Sequence, residues 1–173
     1  MRKSRASTST FPSRTEACSE KLLTNVTADG KLDHIVLYFV APVLTAKLTP
    51  QFLKPSYASN LVFCDGRGFR KPIRGWPAAA SLSGGLEGLV RGLALALDMA
   101  PLKANVVNPG ETETELRGKT VEERKRTIEY MAQTVLSGRA GSPGGVAEAF
   151  IYLVRDSKIM GVSVESSGGM IVK

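Results

Sequence analysis

One histidine, one tryptophan and two cysteines in 173 residues leave little from which to build a metal centre or a disulfide framework. Cys18 and Cys64 stand far apart with no ligand spacing around them, so neither a zinc site nor a disulfide-stapled fold is indicated; no metal is expected, and a reducing, cytoplasmic setting suits the chain. Nowhere do roughly 18 apolar residues run together, since "IVLYFVAPVL" and "LVRGLALAL" are too short or too interrupted to cross a bilayer, and no membrane partner is expected. Acidic residues are missing before Glu16, whereas Arg2, Lys3, Arg5 and Arg14 precede it, so this end supplies over half of the formal charge of +7. Elsewhere the signs are mixed, as in "GKTVEERKRTIEY", which is the pattern of a solvated helix face and gives no reason to expect nucleic acid. The opening "MRKSRASTSTFPSR" is basic and rich in hydroxyls like an organellar transit peptide, but it has no amphipathic apolar stripe. Residues 1–14 read as a disordered basic tail, with organellar targeting as the alternative.

A hydrophobic share of 43% is enough for a core, and residues 15–173 read as one domain. "EACSEKLLTN" suggests a short helix before the turn "ADGK". "LDHIVLYF", "NLVFCDG", "KANVVN" and "GVSVES" read as buried strands. "APVLTAKLTPQFL" is helix-like, with Pro42 suited to its start and Pro50 to its end. Leu82, Leu86, Leu89, Leu93 and Leu97 recur at helical spacing over 77–99, with Pro77 in the first turn. Thr120 and Glu123 form a capping box ahead of Val121, Ile128, Met131 and Val135, and Ser142 with Pro143 opens a further helix through Val146, Phe150 and Leu153. Alternating strands and helices indicate an α/β fold with a largely parallel sheet.

Two blocks then carry a resemblance. "LALALDMAPLKANVVNPGETETE" matches a helix ending "ALALxLAP", a strand "IRVNxVxPG" and a following Thr segment. "SGRAGSPGGVAEAFIYLVRDSKIMGVSVESSGG" parallels "GRxGxPEEVAxAxxFLxSDxxxxxTGxxxxVDGG". In this order and spacing, over about half the chain, they resemble the C-terminal half of the short-chain dehydrogenase/reductase family, with wording nearest to an atypical branch found in fungal secondary-metabolite pathways. The resemblance implies a partial Rossmann-like parallel sheet flanked by helices, made of that family's strands four to seven and lacking the N-terminal dinucleotide-binding half. "LDHIV" would then approach strand four.

The resemblance also defines what departs from the pattern. No TGxxxGxG loop precedes "LDHIV", and "LYFVAP" stands where "NNAG" is expected. Counting back from "GGLEGL", the family's YxxxK tyrosine falls at Ala79 and its lysine at Ser83. The family's serine falls at Gly66 or Asp65, and the thirteen residues from Gly66 to Ala79 match the family's serine-to-tyrosine spacing. Ser81, Tyr57, Lys71 and Lys47 are the nearest hydroxyls and amines, and none has YxxxK spacing. An alanine cannot deliver a proton, and a serine brings no positive charge to lower a phenol's pKa or hold a ribose. No cofactor is therefore expected, and NAD(P) only if a partner or another site completes the cleft.

The remaining candidates are Asp65 and Thr112 as catalytic groups, with Asn105, Pro109, Gly110, Thr112 and Thr114 as substrate- or cofactor-binding residues. "NPGETET" corresponds to the family's Pro-Gly-x-x-Thr segment at the C-terminal end of a strand, where α/β sheets bind ligands, or else is a required strand-to-helix turn. Asp65 is a possible acid or base, or the first half of an Asp-Gly turn. His34 inside an apparent strand and Trp76 in "RGWPA" read as structural. Three functions stay open. The first is non-redox chemistry on a small metabolite, such as cyclisation, dehydration or isomerisation. The second is the family's NAD(P)-dependent oxidation or reduction of a small ketone or alcohol. The third is a non-catalytic partner-binding role. A small-molecule ligand and a homo-oligomer, or association with a full-length relative through helix 77–99 and an open sheet edge, are the expected partners.

Overall fold

The structure, a computed structural model, describes residues 36–74, 76–96 and 101–173. The tail at 1–14, the helix expected at 16–25, the "ADGK" turn, Cys18 and His34 lie outside them. A π-helical turn, Val36–Val40, runs into α1 (Ala41–Phe52). There follow β1 (Asn60–Cys64), α2 (Pro77–Leu95), β2 (Lys103–Pro109), α3 (Val121–Thr134), α4 (Pro143–Arg155) and β3 (Ser163–Ser166), with 3-10 turns at Glu115–Arg117 and Met170–Val172.

Each pair of successive strands is joined through helices, the connection that parallel pairing requires. The sheet is accordingly parallel in the order β1-β2-β3, with Asn60 opposite Lys103 and Asn108 opposite Glu165. β2 is central and buried along nearly its whole length. On one face Val106 packs with Leu86 and Val90 of α2, and Phe63 and Leu89 lie against this cluster. Side chains alternate along a strand, so Lys103 and Asn105 point to the other face, where α4 lies. The chain is an α/β layer fold with helices on both faces.

Lys103 is 1% exposed and meets no carboxylate; its Nζ donates instead to the carbonyls of Leu153 (3.4 Å), Val154 (3.3 Å) and Asp156 at the C-terminal end of α4. A buried ammonium is tolerated there because it fills orphan carbonyls at the negative end of a helix dipole. Lys103→Met should therefore lower the unfolding free energy by about 2 kcal/mol, read as a shifted urea midpoint at constant slope.

The helix boundaries follow their local chemistry. Glu123 N–H donates to Thr120 Oγ1 at 3.1 Å while Thr120 N–H donates to Glu123 Oε2 at 3.3 Å, completing the capping box of α3. Met131 and Val135 turn inward, but Val121 is exposed. Ser142 Oγ accepts from Gly145 N–H at 3.0 Å and caps α4. Pro50 falls in the last turn of α1, which stops at Phe52. α2 ends at Leu95, four residues before the expected end at 99, and residues 97–100 lie outside the described set. Its buried face is Ser83, Leu86, Glu87 and Val90, rotated from the leucine stripe, since Leu82, Leu89 and Leu93 are only half-buried.

One expected strand is corrected. Val36–Val40, which takes in the "VLYF" that ends "LDHIVLYF", is helical, and residues 32–35 lie outside the described set. The cause is packing. The Phe39 ring lies so close to Gly85 of α2 that a Cβ there would come within 2.9 Å of Phe39 Cε2, and Pro42 suits the first turn of the helix that follows. Aromatic and β-branched residues favour strands only where a sheet offers them neighbours. Among the described residues the sheet thus has three strands, matching the last three expected, and its outer strand on that side is β1.

Candidate functional site

The C-terminal ends of β1, β2 and β3 converge with the first half of α2, and polar residues collect there. The loop after β1 lies against α2: a Cβ on Gly68 would sit 3.4 Å from the Ala79 carbonyl and 3.5 Å from Ser83 Cβ. Asp65, Gly66 and Ser83, three of the positions reached by counting along the resemblance, are brought together, and Ala79 lies one turn before Ser83 on α2. Ser83 is 4% exposed, and its Oγ donates to Asp65 Oδ2, with the Gly66 carbonyl a weaker acceptor at 3.5 Å.

Burial pushes the Asp65 carboxyl above the usual carboxylate range. The Ser83 hydroxyl and a backbone hydrogen bond at Gly66 pull it back, and the negative charges of Glu87 and Glu165 push it up further. Cys64 is exposed, but partial burial of its thiol and the charge of Asp65 raise its pKa, so it is no activated nucleophile.

A second set of residues was not anticipated from the sequence. Glu87, one turn beyond Ser83 on the same helix, is 3% exposed and accepts from Arg70 Nε and Nη2, both at 3.0 Å. These bonds hold the guanidinium further above its ordinary pKa. Arg70 also reaches Glu165 at 3.5 Å. Asn108 Nδ2 donates to Glu87 Oε1 (3.2 Å) and Glu165 Oε1 (2.8 Å). A signal existed: positions 83, 87 and 90 share one helical face, and a glutamate on a buried face needs a cationic partner.

The "NPGETET" segment is placed beside this cluster and tied down. Arg67 reaches Glu111 at 3.5 Å, linking the loop of Asp65 to that of Thr112, and Arg117 holds the other Glu111 oxygen at 3.4 Å. Thr112 Oγ1 donates to the Gly110 carbonyl at 3.1 Å, so the hydroxyl serves its own turn and makes no bond to Asp65. Pro109 ends β2, and Thr114 precedes the 3-10 turn with no side-chain capping bond. Asn105 does not belong to the site. It is fully buried on the face toward α4, where Nδ2 donates to the Ile159 carbonyl at 3.1 Å and Oδ1 accepts from Val162 N–H at 3.2 Å, so both ends of the amide hold the fold. Trp76 is half-buried at the start of α2.

Gly110 is constrained by a close approach rather than by its dihedrals: a Cβ there would stand 2.6 Å from Ser167 Cα. Gly110→Ala should force the loop off β3 and lower stability by about 1–3 kcal/mol, measurable by thermal melting, with Gly66→Ala as the control because a Cβ there meets nothing within 4 Å.

The dinucleotide that resemblance implies does not fit these residues in the family's way. The lysine position holds Ser83, buried and turned to Asp65, and the tyrosine position holds Ala79. The nearby amine of Lys71 donates to the Met170 carbonyl at 2.8 Å and Ser81 Oγ to the Ala78 carbonyl at 2.8 Å. No group of three or more metal-ligating side chains occurs among the described residues, and none of their helices is long and apolar enough to cross a membrane.

The family profile described as an SDR-like Rossmann domain matches residues 10–173. The chain is 36% identical over 151 residues to the short-chain dehydrogenase/reductase ATR9 of Stachybotrys chlorohalonatus, covering 87% of this chain and 59% of that one. It is 35% identical over 136 residues to malC of Malbranchea aurantiaca, covering 78% and 51%. The structure described as MalC Reductase/Diels-Alderase superposes with a TM-score of 0.77 at 33% identity, over 87% of this chain and 58% of that one. A small-chain dehydrogenase solved in complex with NADPH superposes at 0.75 with 22% identity, over 87% and 68%, which speaks to the fold alone. The chain spans between half and three-fifths of the length of the two curated relatives.

Proposed function

Because the chain belongs to the short-chain dehydrogenase/reductase family yet has Ala79 and Ser83 where the resemblance puts a tyrosine and a lysine, with Asp65 bonded to Ser83, we propose that it acts on a small metabolite by proton transfer at Asp65 rather than by the family's hydride transfer. The observation that carries this reading is the bond from buried Ser83 to the Asp65 carboxyl, whose pKa burial raises. A carboxyl poised above its usual range holds a proton it can give, and its conjugate base can take one back. In a dehydration Asp65 would protonate the leaving hydroxyl, water would depart, and the carboxylate would remove the proton from the neighbouring carbon. Isomerisation or cyclisation would use the same give and take. Ser83 fixes the oxygen it bonds and so orients the carboxyl.

Support comes from the 33% identical relative described as both a reductase and a Diels-Alderase, a fold of this kind hosting ring formation as well as reduction. A fold shared by many chemistries takes its function from the site, and here the site lacks the phenol–ammonium pair.

The test is mass spectrometry of pooled small metabolites incubated with the protein or its Asp65→Asn variant, with and without NADPH. The expected products keep the substrate's mass or lose water, form without NADPH, and vanish with Asp65→Asn. Products that gain two hydrogens only when NADPH is present, or micromolar NADPH binding by calorimetry, would restore the redox reading.

A further inference from the structure

Asp65, Asn108 and Glu165 form one row across the three strands. Asn108 is the register partner of Glu165. Cys64 is that of Val107, and Asp65, the next residue, donates its N–H to the Val107 carbonyl at 3.0 Å, so Asp65 flanks Asn108 on the side of β1. The row faces α2, since Asp65 accepts from Ser83 while Asn108 donates to Glu87, both on that helix. Neighbouring strands lie about 4.8 Å apart, a separation that short polar side chains bridge with one hydrogen bond.

The cations around this row are unevenly shared. Arg70 clamps Glu87 and reaches Glu165, and Arg91 touches Glu87 from the rim at 3.8 Å. Arg67 and Arg117 are engaged by Glu111, and Lys71 by the Met170 carbonyl. Among the described residues Asp65 has no ion-pair partner, and the Cys64 thiol beside it has its pKa raised by burial and stays neutral. Like charges crowded into one site do not all ionise, and the carboxyl without a cation is the one that keeps its proton. Burial, with the charges of Glu87 and Glu165, presses Asp65 the same way.

Asn108 shows where that proton goes. It is 1% exposed, its Nδ2 donates to Glu87 Oε1 and Glu165 Oε1, and its Oδ1 is buried without a donor. A planar amide holds its two arms apart, so with Nδ2 given to β3 the vacant Oδ1 turns toward β1 and Asp65. Flipping the amide would press its oxygen against two carboxylates. A buried acceptor calls for a donor, and Asp65 supplies one when it carries its proton.

We propose that Asn108 is a positioning residue whose Oδ1 accepts the proton of Asp65 and keeps that carboxyl in its acid form at rest. Combined with the proton-transfer reading above, on which this step rests, it sets the order of events: the reaction opens with a proton given, as in loss of a hydroxyl as water, and not with a proton removed. Turnover should then fall tenfold per unit as pH rises above the folded-state pKa of Asp65.

The experiment is a carbon-13 NMR titration of the side-chain carboxyls in the full chain, with the Asp65 resonance assigned by its loss in Asp65→Asn. In Asn108→Leu, close in volume and checked by circular dichroism for an intact fold, the Asp65 pKa should fall by about one pH unit, tenfold in its proton equilibrium. A residue that only donated to Glu87 and Glu165 would move it the other way, because its removal leaves their charges less compensated. An infrared spectrum of the parent needs no Asn108 variant. There the Asp65 acid band, identified by its absence from Asp65→Asn, should stand at the frequency of a hydrogen-bonded acid. An unchanged or higher pKa in Asn108→Leu, a free-acid band, or the proton found on Glu165 instead would each overturn the inference. Turnover retained by Asp65→Asn, with the fall in pKa still seen, would instead defeat the proton-transfer reading and leave the Asn108 contact standing.

Discussion

Arg70→Ala is expected to lower the unfolding free energy by about 3 kcal/mol. Removing one partner of a buried ion pair costs about 3–5 kcal/mol because the other charge stays behind without compensation, and the partial exposure of Arg70 puts the value at the low end. The charge left behind is Glu87, 3% exposed on α2, with Glu165 beside it. Asn108 cannot make up the loss, since its Nδ2 already donates to both carboxylates. Chemical denaturation decides the matter, and the double variant Arg70→Leu/Glu87→Leu supplies the control. If the cost is the stranded charge, the double variant should recover most of the stability, because a well-packed apolar pair of similar size replaces an ion pair at little cost. If the double variant is as unstable as Arg70→Ala, the loop itself needs the arginine, and the carboxylates are not the reason.

The same cluster marks where the sequence could be read and where it could not. β1, β2 and β3 were legible because short apolar runs closed by Asp-Gly, Pro-Gly or Ser-Gly-Gly announce strands ending in turns. α3 and α4 were legible because their caps are encoded in single residues, Thr120 with Glu123 and Ser142. Val36–Val40 misled because a strand-like composition carries no information about whether a neighbouring strand exists, and here Phe39 found the gap over Gly85 instead. Asp65 and Ser83 could be placed by counting along a resemblance, since Ala79 and Ser83 lie one helical turn apart. Their bond could not, because it joins residues 18 apart through the packing of a loop on a helix. The Arg70–Glu87–Asn108–Glu165 network spans four separate segments, and pairings of that kind are set by tertiary register alone. Asn105 stood among the candidate binding residues. Alternation along β2 puts it on the opposite face from Asn108, which is why the one holds the fold and the other faces the site.

Asp65→Asn should make the protein more stable at neutral pH while lowering turnover by about 10²–10⁴-fold, the range for loss of a general acid or base. The two effects share one cause. Burial raises the folded-state pKa of Asp65 above that of the unfolded chain, so between those values the folded state holds a proton the unfolded state has released. Asp65 therefore costs nothing below the ordinary aspartate range, and its stabilising protonated form is lost as pH rises through the folded-state value. Asparagine does not titrate, so the stability difference between variant and parent should be largest at neutral pH and shrink on acidification. Asp156 contributes with the opposite sign. The backbone N–H groups of Lys158 and then Ile159 hold it below its usual range, so its contribution fades as pH falls, but it is present in both proteins and cancels in the difference. Paired thermal melts across pH measure that difference directly. A variant less stable than the parent at neutral pH would mean that the Ser83 bond outweighs the cost of burial, and Asp65 would then be a structural carboxylate. A variant more stable but inactive would identify a carboxyl kept in an unfavourable place for what it does there, the usual trade of stability against activity at a working site.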